Sequence, residues 1–234
     1  MHKARNGLRA FGLCLIAALG LMAFFAVGAQ AEPNSHWNEN GNPIAGNVQV
    51  QASLEGHALL LTEVGGQPVE ILCEVLTTKD ALLEPGGKNS GTLNFSKCNT
   101  KLEGSISPEC KPEEPIVAEV LSLLVLHTLE GGAKDDLILF APHPGKAFTH
   151  IHFSELCSLE INEEEGIPIT GEIFVKDCQN EGTVEKTEHL IEEARKADGK
   201  PLLGGLNFGV HPAQLDGSAI IELVTGELFS GTWA

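Results

Sequence analysis

Short runs in which apolar and polar residues alternate, separated by Gly and Pro, recur along this chain and limit what it can fold into. The run at 47–54 (NVQVQASL) has a period of two, which is typical of a strand with one buried face. The segment 145–178 joins two β-type runs through an acidic turn. About ten such runs with turn signals between them predict an all-β fold, an antiparallel sandwich or barrel.

One segment departs from this period. Residues 185–197 (EKTEHLIEEARKA) place Leu190, Ile191 and Ala194 on one helical face, and a Gly-Lys-Pro stop signal follows. The sequence therefore predicts one short helix near 185–197 within the β-rich fold.

Residues 1–31 have the pattern of a secretory signal peptide. Three Lys and Arg residues precede an uncharged apolar run, and an Ala-Gln-Ala cleavage site ends at position 31. We expect a secreted or cell-surface chain that begins at Glu32. The alternative is an uncleaved anchor, because the apolar run is nearly long enough to span a bilayer. No later segment has the length and apolar content of a membrane span.

The remaining residues, 32–234, are long enough for one β-rich domain with a substantial core. Two subdomains, 32–110 and 116–234, are the alternative. The intervening KPEEP sequence has two prolines around two like charges, which is typical of a hinge.

The acidic composition limits the possible partners. The formal net charge is −17, and removal of the basic leader makes the chain more negative still. Such a surface repels phosphate backbones, so we expect no nucleic-acid partner. The sequence instead predicts an extracellular or cell-envelope partner, whose identity it does not give.

Five cysteines follow the leader. In an exported chain they predict disulfides rather than metal ligands, since no CxxC pair is present. The favoured bridge is Cys98–Cys110, the most local pair, which would contribute about 3 kcal/mol through loop entropy. The second bridge is open between Cys73–Cys157 and Cys157–Cys178, and one thiol is left over.

Three histidines, His143, His150 and His152, are the candidate metal ligands. Histidines on alternate strand positions point to one face, where their ring nitrogens can share a Zn²⁺, Cu²⁺ or Ni²⁺ ion. Glu155 could add a carboxylate. The competing interpretation is that His150 and His152 line the solvent face of a strand. No other cofactor is expected.

Sequence motifs for catalysis are absent. The chain has no G-x-S-x-G elbow, P-loop or dinucleotide fingerprint. Its acidic clusters, such as 135–136 and 163–165, lack the spacing of a calcium loop and are interpreted as solvated turns. The sequence therefore favours a non-enzymatic protein.

Several motifs of the chain are similar to those of a group of uncharacterised exported proteins from high-GC Gram-positive bacteria. These motifs are WNENG at 37–41, LILF at 137–140, Gly145, Phe148, Cys157, PITG at 168–171, LNFG at 206–209, PAQLDGSA at 212–219 and LVTG at 223–226. No activity is attached to that group. The resemblance implies that Cys73, Cys98, Cys110 and Cys157 form the disulfides and favours Cys73–Cys157 as the second bridge. Cys178 and the 185–197 helix are departures from the group.

Three hypotheses for function follow. The first is a non-enzymatic β-sandwich protein that acts as an interaction or structural module outside the cell. The second is a metal-binding protein or metal-dependent extracellular enzyme that uses the three histidines. The third is a cell-envelope ligand binder, which a deep apolar pocket containing a few polar groups would favour.

Overall fold

The computed structural model describes residues 34–128, 134–159, 165–178, 184–196 and 199–233. The predicted leader at 1–31 lies outside these residues. The described chain is almost entirely antiparallel β structure, which confirms the predicted fold class. Within these ranges the only helical element is a 3₁₀ turn at Pro108–Cys110. None of the described residues belongs to a helix with the length and apolar content needed to cross a membrane.

Fourteen strands make up the described fold. In chain order they are β1 His36–Glu39, β2 Asn42–Pro43, β3 Val48–Val64, β4 Gln67–Glu84, β5 Lys88–Leu102, β6 Ser105–Ile106, β7 Ile116–Thr128, β8 Lys134–Ala141, β9 Thr149–Ile151, β10 Ile167–Asp177, β11 Glu188–Glu193, β12 Gly204–Phe208, β13 His211–Leu223 and β14 Phe229–Thr232.

The main sheet closes on itself. Its strands follow the order β10, β12, β13, β3, β4, β5, β7 and β8, and β8 pairs with β10 to complete the ring. On one edge β10 pairs with β12 and then β11, and on the other with β9 and then β8. The fold is therefore a closed antiparallel barrel, and it joins strands from both sides of the KPEEP segment.

The inner face of β3 shows how the alternating sequence builds this barrel. Val50, Ala52, Leu54, Ala58 and Leu60 line the interior, whereas most of the residues between them are polar. A period of two puts successive side chains on opposite faces of a strand. The predicted alternation at 47–54 is therefore the barrel's inside–outside pattern.

The two ends of the barrel are closed differently. At one end the small sheet β14–β1–β2 packs Trp37 and Phe229 against Leu83, Leu124 and other barrel residues. Trp37 Nε1 donates to the Lys88 carbonyl at 3.1 Å. At the other end, buried Cys110 lies among the β3, β4 and β5 ends and the loop after β9. We call these the tryptophan end and the disulfide end.

The predicted helix at 185–197 is wrong. Residues Glu188–Glu193 form β11, which pairs with β10 on one side and β13 on the other. The pattern on this segment is a period of two, with His189 and Ile191 facing the barrel interior. Pairing on both edges stabilises the extended form, and helix propensity is a weak preference that tertiary context overrides.

The predicted disulfide pairing is also wrong. The bridges are Cys73–Cys98 and Cys110–Cys157, not Cys98–Cys110, Cys73–Cys157 or Cys157–Cys178. Cys73 and Cys98 are direct partners in the β4–β5 ladder. After Cys98 the chain runs on to the end of β5 before it turns back through β6 to Cys110, so closeness in sequence does not bring these two cysteines together.

Candidate functional site

Two adjoining cavities lie inside the barrel. The larger has a volume of about 190 Å³ and an almost wholly apolar wall that includes Leu54, Phe95, Ile116, Phe148 and Ile169. The smaller, of about 70 Å³, lies towards the tryptophan end and is lined in part by both tryptophans. Phe140 is among the residues that line both, so the cavities are neighbours. Eight-stranded barrels have interiors just wide enough to be filled by side chains or to hold one small ligand.

Small residues at inward positions create the larger cavity. Ala58 on β3, Ala118 on β7 and Ala219 on β13 all line it. Ala118 is 7% exposed and pairs with Leu93 on β5. Larger apolar residues at these inward positions would fill the space, because core packing is normally dense. The cavity therefore follows from the sequence, which has small residues at inward positions where a strand would otherwise carry Leu or Ile.

A buried carboxylate–imidazole pair lies in the wall of the smaller cavity. Asp177 on β10 and His189 on β11 are 4% and 6% exposed at their side chains, with Oδ2 and Nδ1 2.7 Å apart. The other ring nitrogen, Nε2, lies 2.8 Å from the Phe229 carbonyl of the small sheet. Both nitrogens of His189 are thus engaged, so the ring fastens β14 to the barrel rather than serving as a free general base.

Asp136 is the third ionisable group in this wall. It lies on β8 in phase with Ile138 and Phe140, which line the interior. Burial raises the pKa of its carboxyl, and the neighbouring Asp135 carboxylate raises it further. Among the residues that the structure describes, no group donates a hydrogen bond to Asp136 or forms an ion pair with it. The interpretation of 135–136 as a solvated turn is therefore wrong, because both residues lie in β8 and are partly buried.

Asn89 provides a second hydrogen-bond acceptor in the smaller cavity without a partner in the described part of the chain. The Asn89 side-chain oxygen is buried and has no hydrogen-bond partner among the described residues, and Asn89 lines the same smaller cavity. Buried polar atoms are nearly always hydrogen-bonded, and an unmade bond costs free energy. The smaller cavity therefore presents two acceptors, one charged and one neutral, that the rest of the described protein does not use.

The larger cavity reaches the surface at an acidic edge. Asp216 and Gly217, at a bulge in β13, are exposed and line it together with Glu193 on β11. Arg195 binds Glu193 at 2.7 Å and lies 3.6 Å from Asp216. Burial raises the pKa of Glu193; Arg195 opposes this effect and Asp216 adds to it. This edge is thus a charged rim around an apolar interior.

The wall beside both cavities contains a gap in the β3–β4 ladder. In the β3–β4 ladder, Gln49 pairs with Leu82 and Ala58 with Cys73, but residues 50–57 and 74–81 have no register partners across that ladder. All of these residues are described. The β4 register with β5 also shifts near Asp80, which has a φ of +52°. The β3–β4 register is the same on both sides of the gap, so these two strands stay aligned across it.

The three predicted metal ligands do not form a cluster. His150 pairs across β9–β10 with Pro168 and is exposed. The His152 ring packs over Gly166, where an added Cβ would approach it to 2.9 Å. His143 lines a separate open groove on the outside of the barrel. No group of three His, Cys, Asp or Glu side chains in the described ranges is arranged to hold a metal ion.

Cys178 is the one free cysteine among the described residues. Burial raises the pKa of its thiol to about 12, and the Glu192 carboxylate contributes to the increase. The thiolate is the reactive form, so this cysteine is a poor nucleophile at neutral pH.

Comparison of the chain with family models, with curated proteins and with solved structures finds no match.

Sequence reasoning missed the interior polar groups for two identifiable reasons. The local sequence around His189 predicts a helix, and that around Asp136 predicts a solvent-exposed turn. The signal that could have found them is the alternation of Asp136, Ile138 and Phe140, which puts a carboxylate on the same face as two core residues.

Proposed function

We propose that this chain is an exported, non-enzymatic binding protein that holds a small apolar ligand inside its barrel. The observation that carries the proposal is the larger cavity, with its almost wholly apolar wall and adjoining polar groups. An apolar cavity of about 150 Å³ in another protein binds benzene. A cavity of about 190 Å³ is thus suited to an apolar group of roughly six to ten carbon atoms.

The apolar wall of this cavity supports a role in binding. The cavity opens to the surface at its acidic edge, so part of this wall is accessible to solvent, and covering it is favourable by about 25 cal/mol per Å² of apolar surface. A ligand that fills the space covers this wall, and the acidic rim is its route of entry.

The surroundings of the reactive side chains favour binding over catalysis. His189 is hydrogen-bonded through both nitrogens, and Cys178 has its pKa raised to about 12. Export is supported by the two disulfides, which are typical of oxidising compartments, and by the predicted leader.

A ligand-linked stability measurement tests the proposal. Benzene and n-hexane are added to the protein, and the denaturant midpoint is compared with that of the free protein. A ligand at 100 times its Kd stabilises the folded state by about 2.7 kcal/mol. Ala118→Leu is expected to remove this gain, because the new side chain occupies the cavity.

Ala45→Leu, at an exposed loop position, is the matched control and is expected to keep the gain in full. The proposal is wrong if saturating benzene and hexane leave the wild-type midpoint unchanged, or if Ala118→Leu responds to them as the wild type does.

A further inference from the structure

The ionisable side chains that line the two cavities are almost all of one sign. Besides His189 they are all carboxylates, with neither Lys nor Arg among the described lining residues. The set is Asp136, Asp177, His189, Glu192, Glu193 and Asp216. A ligand with a carboxylate head would therefore bring like charges together in a poorly solvated space, which is unfavourable.

Most of these carboxylates already have partners. Asp177 is paired with His189, and Glu193 with Arg195. Glu192 and Asp216 lie at the exposed rim, where water screens their charge. Asp136 differs from all of them, because it is partly buried, faces the interior and binds no other residue that the structure describes.

The position of Asp136 connects it to the larger cavity. Ile138 and Phe140 follow it at two-residue spacing along the inner face of β8, and Phe140 lines both cavities. The unpaired Asn89 oxygen lies at the level of Phe140, since both residues pair with Ser122 on β7. A ligand head at Asp136 must donate hydrogen bonds, and its apolar part would lie along Ile138 and reach Phe140 at the edge of the larger cavity.

We propose that the ligand is a small cationic amphiphile, whose ammonium group binds Asp136 while its apolar chain extends along Ile138 and Phe140 to the edge of the larger cavity. This inference rests on the proposed function and adds to it the chemical class of the ligand. Hydrogen bonds between ionised groups are roughly twice as strong as neutral ones, so the head group sets the selectivity. A fatty acid of the same length is disfavoured by the same charges.

Three probes that share an eight-carbon chain test this assignment. Octylamine, 1-octanol and octanoate are titrated into the full mature protein at pH 7 and about 0.15 M salt, where the Debye length is about 8 Å. Calorimetry measures each Kd. Octylamine is expected to bind at least about tenfold more tightly than octanoate, which corresponds to about 1.4 kcal/mol.

Two variants locate the preference. Asp136→Asn keeps the size of the side chain, removes its charge and is expected to abolish most of the difference between octylamine and octanoate. Asp135→Asn makes the same change at the adjacent position, outside both cavity walls, and is expected to preserve it. This control separates binding at Asp136 from general attraction of cations to an acidic protein.

Two results would overturn the inference while leaving the proposed function intact. One is octanoate binding as tightly as octylamine. The other is a cation preference that survives Asp136→Asn unchanged. If none of the three octyl probes binds while benzene or hexane still stabilises the fold, the cavity binds apolar molecules and the cationic class is wrong. If benzene and hexane also fail, the proposed function falls with it.

Discussion

The two disulfides make a quantitative prediction, because they close loops of different length. Their cysteines are 25 and 47 residues apart in sequence for Cys73–Cys98 and Cys110–Cys157. The loop-entropy relation gives about 3.5 kcal/mol for the shorter loop and about 4.0 kcal/mol for the longer one. Replacing both cysteines of either bridge with Ala should therefore lower the free energy of unfolding by several kcal/mol, and slightly more for Cys110–Cys157.

Guanidinium unfolding of the two double variants under non-reducing conditions measures these losses. Cys178→Ala is the control, since this cysteine is free, and it should change the free energy of unfolding by less than about 1 kcal/mol. Peptide mapping by mass spectrometry checks the pairing directly. A peptide that links Cys98 to Cys110, or a double variant no less stable than Cys178→Ala, would refute the reasoning.

Three further predictions concern titration and metals. Burial tends to raise the pKa of Glu114, but the backbone N–H groups of Lys97 and Cys98 outweigh burial, with help from Lys111, and the pKa lies below its ordinary value. Its stabilising effect is present above the unfolded-state pKa and lost as pH falls through the folded one. Glu114→Gln should therefore reduce the loss of unfolding free energy that occurs below about pH 4.5, by less than about 1 kcal/mol. A variant whose unfolding free energy depends on pH as that of the wild type does would contradict this prediction. The pKa of Asp136 is raised, so folding disfavours its charged form. Asp136→Asn should therefore be up to about 1 kcal/mol more stable than wild type at pH 7 and equally stable near pH 3. Denaturant titrations at both pH values measure this difference. Calorimetric titration with Zn²⁺ or Cu²⁺ should give no stoichiometric uptake; binding near one equivalent that His150→Ala removes would restore the metal hypothesis.

The strands could be predicted from sequence because their signal is local. The alternation at 47–54 puts Val50, Ala52 and Leu54 on one face, whichever strands become neighbours. Which strands pair, and in what register, depends on contacts between distant parts of the chain. That is why the cysteine content predicted disulfides correctly but sequence proximity predicted the wrong partners.

The interior polar groups depend on the same distant contacts. The inward face of β11 carries His189 and Ile191, and the partner that makes a buried histidine acceptable is Asp177 on another strand. When the pairing with Asp177 is not known, the charged segment 185–197 with its three apolar residues is better explained as an exposed amphipathic helix. The cavity could not be predicted from sequence for a related reason. Ala58 and Ala118 leave a space only because of the residues that face them across the barrel, and those residues lie on distant strands.

A crystal structure of the protein grown with octylamine tests the central claim most directly. The account predicts ligand density inside the barrel, with the nitrogen within hydrogen-bonding distance of Asp136 and the chain against Ile138 and Phe140. An interior closed by its own side chains, with octylamine absent or bound only on the outer surface, would contradict it.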